Sequence, residues 1–283
     1  MSGQDQASRL REMMRAGRTA RTIAVTSGKG GVGKSNVALN LGILLSAGGA
    51  RVALVDADLG LANLDILCNV SPRANLSHVI AGGRKIADVV LELPSGVQLV
   101  PGASGLARLA HLSDFQRAQL LAELAGLEAD NDLIIVDCAA GIGPDVLAFA
   151  AAADLVVVVT TPEPTAVADA YATVKALAQR RYGGRISVLV NMAAGRTEAR
   201  QTSQRIASVA RQFLATTVFD AGYVVADARV REAVKGREPF VLAWPNCPAS
   251  QCLAVITRKL RAGDGACGRS ESFFRRVANW FAG

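Results

Sequence analysis

A doubly wound α/β fold, a mostly parallel sheet with helices on both faces, is predicted by three features of the 283-residue chain. Short apolar runs rich in β-branched residues recur along it, punctuated by Gly, Asp or Pro. The runs lack polar alternation, which is the pattern of strands covered on both faces. Longer helix-compatible segments lie between them, and strand–helix alternation with right-handed crossovers builds this class of fold.

The elements follow in order. Residues 22–26 form the first predicted strand, which leads through a glycine-rich turn into a helix over 34–47. The second strand, 51–55, runs straight into the acids Asp56 and Asp58; the third is 97–100. A helix is expected over 113–127, then a strand at 133–136 that ends in Asp137, then a helix over 144–152. Strand 155–159, helix 165–180, strand 186–190 ending in Asn191, and helix 197–213 complete the alternation. No internal repeat and no break marks a second globular domain. The expected organisation is an N-terminal helix (1–20), one α/β domain (21–261), a flexible linker (262–271) and a short amphipathic helix (272–283).

Apolar residues make up 51% of the chain, enough for a sizeable core. The net charge of +7 sits at the two ends. Residues 1–22 hold five arginines against Asp5 and Glu12, residues 258–283 hold six bases against Asp264 and Glu271, and 23–257 balances at 20 bases and 20 acids. A neutral body argues against nucleic acid as a partner, whereas basic ends suit proteins or acidic membrane surfaces. The five cysteines are scattered with no CxxC pair, which removes zinc-ribbon, thiol-redox and cluster-carrier readings. The polar, Arg-rich start has no apolar stretch, so a cytoplasmic protein is expected.

The strongest chemical signal is Gly28-Lys29-Gly30-Gly31-Val32-Gly33-Lys34-Ser35, which fills every fixed position of GxxxxGK[ST] between a predicted strand and a predicted helix. Such glycines let the backbone wrap phosphates, and the helix N-terminus, including Asn36, adds positive potential. Lys34 is placed for the β- and γ-phosphates and Ser35 for Mg²⁺.

The second lysine, Lys29, resembles the deviant Walker A motif of the MinD/ParA ATPase superfamily. The resemblance implies ATP and Mg²⁺ as cofactors, and a homodimer in which Lys29 reaches the nucleotide of the other subunit. The stretch Asp56-Ala-Asp58 to Asn63-Leu-Asp65 is similar to the family's switch I. Asp58 then orients the attacking water, and Asp56 bears on Mg²⁺ and lysine geometry. Residues 132–137 resemble a Walker B strand with Asp137 holding Mg²⁺ through water. The following segment resembles switch II, with Cys138 and Ala139 where a hydroxyl residue and Pro or Gly are usual. Asn191 matches the adenine-contacting Asn, and Asp227 with 229–239 resembles the loop that closes over the base, without the Pro expected near Val225.

The ends narrow the resemblance. Phe273, Phe274, Val277, Trp280 and Phe281 form one apolar stripe at helical spacing, with Arg275 and Arg276 beside it. This composition suits an anionic lipid interface, and the alternative is docking on the protein body. Two such helices on an ATP dimer would bind a membrane better than one, giving peripheral attachment to the inner face of the membrane. At the other end Asp5-Gln6-Ala7-Ser8-Arg9-Leu10-Arg11 resembles the DQAxxLR element of flagellar-number regulators of the FlhG/FleN type. There the element activates a flagellar GTPase of the signal-recognition type; Asp5, Gln6, Leu10 and Arg11 carry the match. The resemblance implies an ATPase switch controlling flagellum number or placement, with basal-body components as further partners. A division-site MinD-type ATPase and a DNA-partitioning ParA-type ATPase stay open as alternatives.

Overall fold

The computed structural model describes residues 19–58, 62–102, 111–262 and 271–282. The four N-terminal residues that match the DQAxxLR element, Asp5, Gln6, Leu10 and Arg11, lie outside these, as does most of the expected linker. Eight strands form one sheet in the order β3-β4-β2-β5-β1-β6-β7-β8. They are β1 (Arg21–Ser27), β2 (Val52–Ala57), β3 (Leu91–Glu92), β4 (Val97–Val100), β5 (Leu133–Ala140), β6 (Leu155–Thr160), β7 (Arg185–Ala193) and β8 (Val218–Val225). Every pairing is parallel except that of the two-residue β3 with β4.

Alternate residues of the central strands feed two cores. Ala24, Val136, Val156 and Val188 face one; Ile23, Ile135, Val157 and Leu189 face the other. This is why the strands read as unbroken apolar runs. The second core is covered by α1 (Lys34–Ala47), α2 (Leu64–Leu67), α9 (Ala228–Gly236), α10 (Phe240–Ala243) and α11 (Pro248–Ala262). The first is covered by α3 (Leu76–Ile80), α4 (Asp114–Ala125), α6 (Pro144–Ala152), α7 (Pro164–Gln179) and α8 (Arg196–Leu214). Between α4 and β5 lies α5 (Leu127–Asp130), and the last helix is α12 (Phe273–Ala282). Helix starts are set locally. Ser113 and Gln116 form a capping box on α4, and Pro144 and Pro164 open α6 and α7.

All six expected strands, the five helices expected to alternate with them and the expected C-terminal helix are present; the helix expected over 1–20 lies almost wholly outside the described residues. Two strands differ from expectation: β3 is too short to register as a run, and in β8 Asp220 and Gly222 interrupt the apolar pattern. The segment 229–239, expected as a loop, is mostly α9, because Asp227 caps it by accepting from the Arg229 N–H at 3.0 Å.

The apolar stripe of α12, expected to meet lipid, is turned inward. Phe273, Phe274 and Val277 are fully buried between α4 and α6, and Phe273 stacks on Phe149 with ring centroids 6.3 Å apart. Trp280 and Phe281 are partly buried beneath Arg180 and Arg117, whose guanidinium carbons stand 5.4 and 4.6 Å from the ring centroids. Arg275 is exposed, but Arg276 turns in to Ala152 O at 2.7 Å and Asp154 at 3.2 Å. Asp154 in turn accepts from the Thr22 N–H and hydroxyl, both at 2.8 Å. Glu128 caps the helix, accepting from the Ser272 hydroxyl at 2.7 Å and the N–H groups of Phe273 and Phe274 at 3.2 and 3.1 Å. The physical reason for the inward turn is that this groove offers the stripe both apolar burial and an anion at its N-terminus. Among the described residues no helix is long and apolar enough to cross a membrane.

Candidate nucleotide-binding site

The loop between β1 and α1 lies at the carboxyl end of the central strand, where open α/β sheets place their ligands. The Ser27 hydroxyl donates to Lys29 O at 2.9 Å and sets its first turn. Two glycines are required by close approach. A Cβ at Gly28 would stand 2.1 Å from Asp169 O, and one at Gly33, whose φ is +83°, would stand 2.4 Å from Asn191 Nδ2. At Gly30 and Gly31 a Cβ would meet nothing within 4 Å, so this part of the loop borders open space. Gly33 supplies no side-chain cap, which leaves the first-turn N–H groups of α1 for an external acceptor.

Lys34, Ser35 and Asp137 converge. Lys34 Nζ lies 2.6 Å from Asp137 Oδ1 and 3.1 Å from Ser35 Oγ, in a nearly solvent-free position. Burial pushes the Asp137 carboxyl up from the usual carboxylate range; the Lys34 ammonium opposes this and Asp58 adds to it. Asp56 sits opposite Asp137 in the β2–β5 register. Burial, then the Asp137 charge, pushes its carboxyl up to about 7 against three hydrogen bonds from the Asp58, Asn63 and Leu64 N–H groups at 3.1–3.2 Å. Asp56 therefore also organises the switch I segment. Asp58 is half-buried beside this pair. Burial likewise pushes the Cys138 thiol up to about 12, so it stays neutral where the resemblance leads one to expect a hydroxyl.

Lys29 lies apart from this cluster. Its ammonium is 3.2 Å from both Glu163 Oε2 and Thr165 Oγ1, half-exposed at the start of α7. Glu163 was not visible as its partner in the sequence, because a lone acid 134 positions away carries no spacing signal.

Asn36, Asn191 and Asp227 meet around one cavity of about 240 Å³. Asn191 Nδ2 donates to Val32 O at 2.8 Å, which ties the cavity to the loop. Its remaining walls include Met192, Val224, Val225 and Phe240, residues that carry no signal in the sequence because they are ordinary apolar positions on two strands and a short helix.

The residues fit a magnesium nucleotide. The loop offers N–H donors without a side-chain cap and a lysine, and two carboxylates pushed up by burial and by a neighbouring acid, Asp137 for Asp56 and Asp58 for Asp137, are what a dication would relieve.

Fold and loop together define a P-loop nucleotide-binding protein. A family model described as the CobQ/CobB/MinD/ParA nucleotide binding domain matches residues 23–240, and the chain belongs to that family. It is 41% identical over 238 residues to the antiactivator FleN of Pseudomonas aeruginosa, covering 84% of this chain and 85% of FleN. It is 34% identical to the flagellum site-determining protein YlxH of Helicobacter pylori, covering 91% and 90%. The MinD structure from Pyrococcus horikoshii in complex with Mg-ADP superposes with a TM-score of 0.72 at 23% identity, over 87% of this chain and 99% of that one. The resemblance to MinD-like ATPases of the FlhG/FleN type therefore holds.

Proposed function

We propose that the protein is an ATP-driven switch controlling flagellum number or placement. The likeness to YlxH, a flagellum site-determining protein, supports the flagellar setting. The observation that carries the switch reading is the division of labour between two lysines, Lys34 buried on Asp137 and Lys29 half-exposed against Glu163 at the start of α7. Lys34 with the loop N–H groups binds the phosphates, and Lys29, on leaving Glu163 and Thr165, serves the nucleotide of a second subunit. Asn191, Asn36 and Asp227 hold the base. Bound Mg²⁺, held by Ser35 and Asp137, supplies charge neutralisation at the phosphates. Asp58 orients the attacking water and accepts its proton; Asp56 holds the switch I backbone in place.

In the same reading the docked α12 is the resting form, and ATP-bound dimers present its aromatic face to an anionic membrane. The N-terminal element around Gln6 activates the flagellar GTPase. The chemistry is slow ATP hydrolysis that resets the switch.

The experiment measures ATP turnover and oligomeric state together. Asp58→Ala is expected to bind ATP, remain dimeric and lose turnover, whereas Lys29→Ala is expected to bind ATP and stay monomeric. An unchanged rate in Asp58→Ala removes that residue from the mechanism. Sedimentation with phosphatidylglycerol vesicles, expected only with ATP, tests the membrane step. A peptide of residues 1–20, with Gln6→Ala as control, tests stimulation of the GTPase.

A further inference from the structure

We propose that the outer edge of β8, three strands over from β1 and its phosphate loop, is a docking slot for an extended acidic segment of a partner protein. β8 ends the sheet: β7 pairs with one side of it, and among the described residues no strand pairs with the other. α8 packs on one face of this strand and α11 on the other. The approach of α11 is close, since a Cβ at Gly222 would stand 2.8 Å from Ile256 Cγ1. The helices thereby wall a cavity of about 630 Å³ along the strand edge, a size typical of ligand-holding clefts.

The walls are cationic. Arg196 and Arg200 project from α8 and Lys259 from α11; all three are exposed and none has an ion-pair partner among the described residues. Asp220 is the only carboxylate in the lining, and it is turned to its own backbone, accepting from the Gly222 N–H at 2.9 Å. The floor is Gly222 and Tyr223 with Val255 alongside. A strand edge between two basic walls matches a peptide that adds as a further strand, its backbone pairing with β8 and its acidic side chains reaching the walls.

Other occupants fit less well. A nucleic acid strand would run its phosphates over Asp220 and has no backbone donor–acceptor ladder to pair with β8. A second copy edge to edge would set the same three cations against each other. Residues 1–18 of the chain carry four arginines against Asp5 and Glu12, the wrong sign for the slot. Charges on an edge strand also guard against aggregation, so the test must separate guarding from docking.

Full-length ¹⁵N-labelled protein is titrated with an end-blocked octapeptide, Glu-Thr-Glu-Val-Glu-Thr-Glu-Val. The same peptide with alternate amides N-methylated and a twelve-nucleotide single-stranded DNA serve as comparison probes. Amide shifts are expected along 219–225 and 196–200. Affinity is expected to fall at least about tenfold for the N-methylated peptide, and equally for the chain carrying Arg196→Glu, Arg200→Glu and Lys259→Glu. Arg200→Gln alone, an exposed single change, is expected to lower it about threefold. Absence of shifts at β8, equal binding of the N-methylated peptide, or DNA occupying the slot in place of the peptide each overturns the proposal. Self-association of the charge-reversed chain without peptide binding by the native one assigns the cations to guarding the edge and overturns it too.

Discussion

The phosphate loop and the groove that holds α12 are both receptors, built from opposite materials. The loop works through backbone N–H groups, close-packed glycines and one buried ion pair, Lys34–Asp137 at 2.6 Å. The groove works through aromatic burial, with Phe273 and Phe274 at 1% and 0% exposure, and through two carboxylates, Glu128, which takes three hydrogen bonds, and Asp154, which pairs with Arg276. The loop is shaped for a ligand from outside, so its requirements are local and written in consecutive residues. The groove is filled by the chain's own end, so its requirements are distributed over α4, α6 and residue 128.

The contrast can be broken or sharpened by substitution. Phe273→Ala has the largest expected effect, about 4 kcal/mol against docking of α12. Trypsin should then cut after Arg275 and Arg276 much faster while urea unfolding of the sheet is unchanged. Equal loss in both measurements would show that the groove is part of the body's core and not a releasable seat. Lys34→Ala removes the cation from a buried carboxylate and should cost about 3 kcal/mol in denaturant unfolding. It should also lower ATP affinity about a hundredfold by calorimetry. Retained ATP affinity would take the loop out of the first class of receptor. Glu128→Ala should loosen α12 by about 2 kcal/mol, and Glu128→Gln by about half that, read from amide exchange at Phe273 and Phe274. Identical exchange in the two variants would mean that charge at the helix N-terminus, and not hydrogen bonding, holds the seat. Smallest is Asn191→Ala, expected to weaken ATP about fivefold through loss of one polar contact in the base cavity. An equal loss for inorganic triphosphate would place its effect on the loop, through Val32, and not on the base.

Legibility in the sequence divides along the same line. The strands that sit inside the sheet were readable because both faces are apolar; β8 was not, because an edge strand tolerates Asp220 and the kink at Gly222. Lys34, Ser35 and Asp137 were readable although 103 positions separate the ion pair, because each belongs to its own short motif. Glu128 was invisible, an acid among acids whose meaning lies in the N–H groups of residues some 145 positions on. The stripe of α12 was readable as a stripe, but periodicity reports that a face is apolar and not what covers it.

The seating of α12 also bears on how the protein can be handled. Phe149 is only 4% exposed, and the ring stacked on it belongs to Phe273. A chain cut before residue 271 to obtain a better-behaved sample would lose that lid and turn the α4–α6 trough into an uncovered apolar patch. Shortening the chain in this way should raise its tendency to aggregate, and detergent or a supplied peptide of residues 271–283 should lower it again.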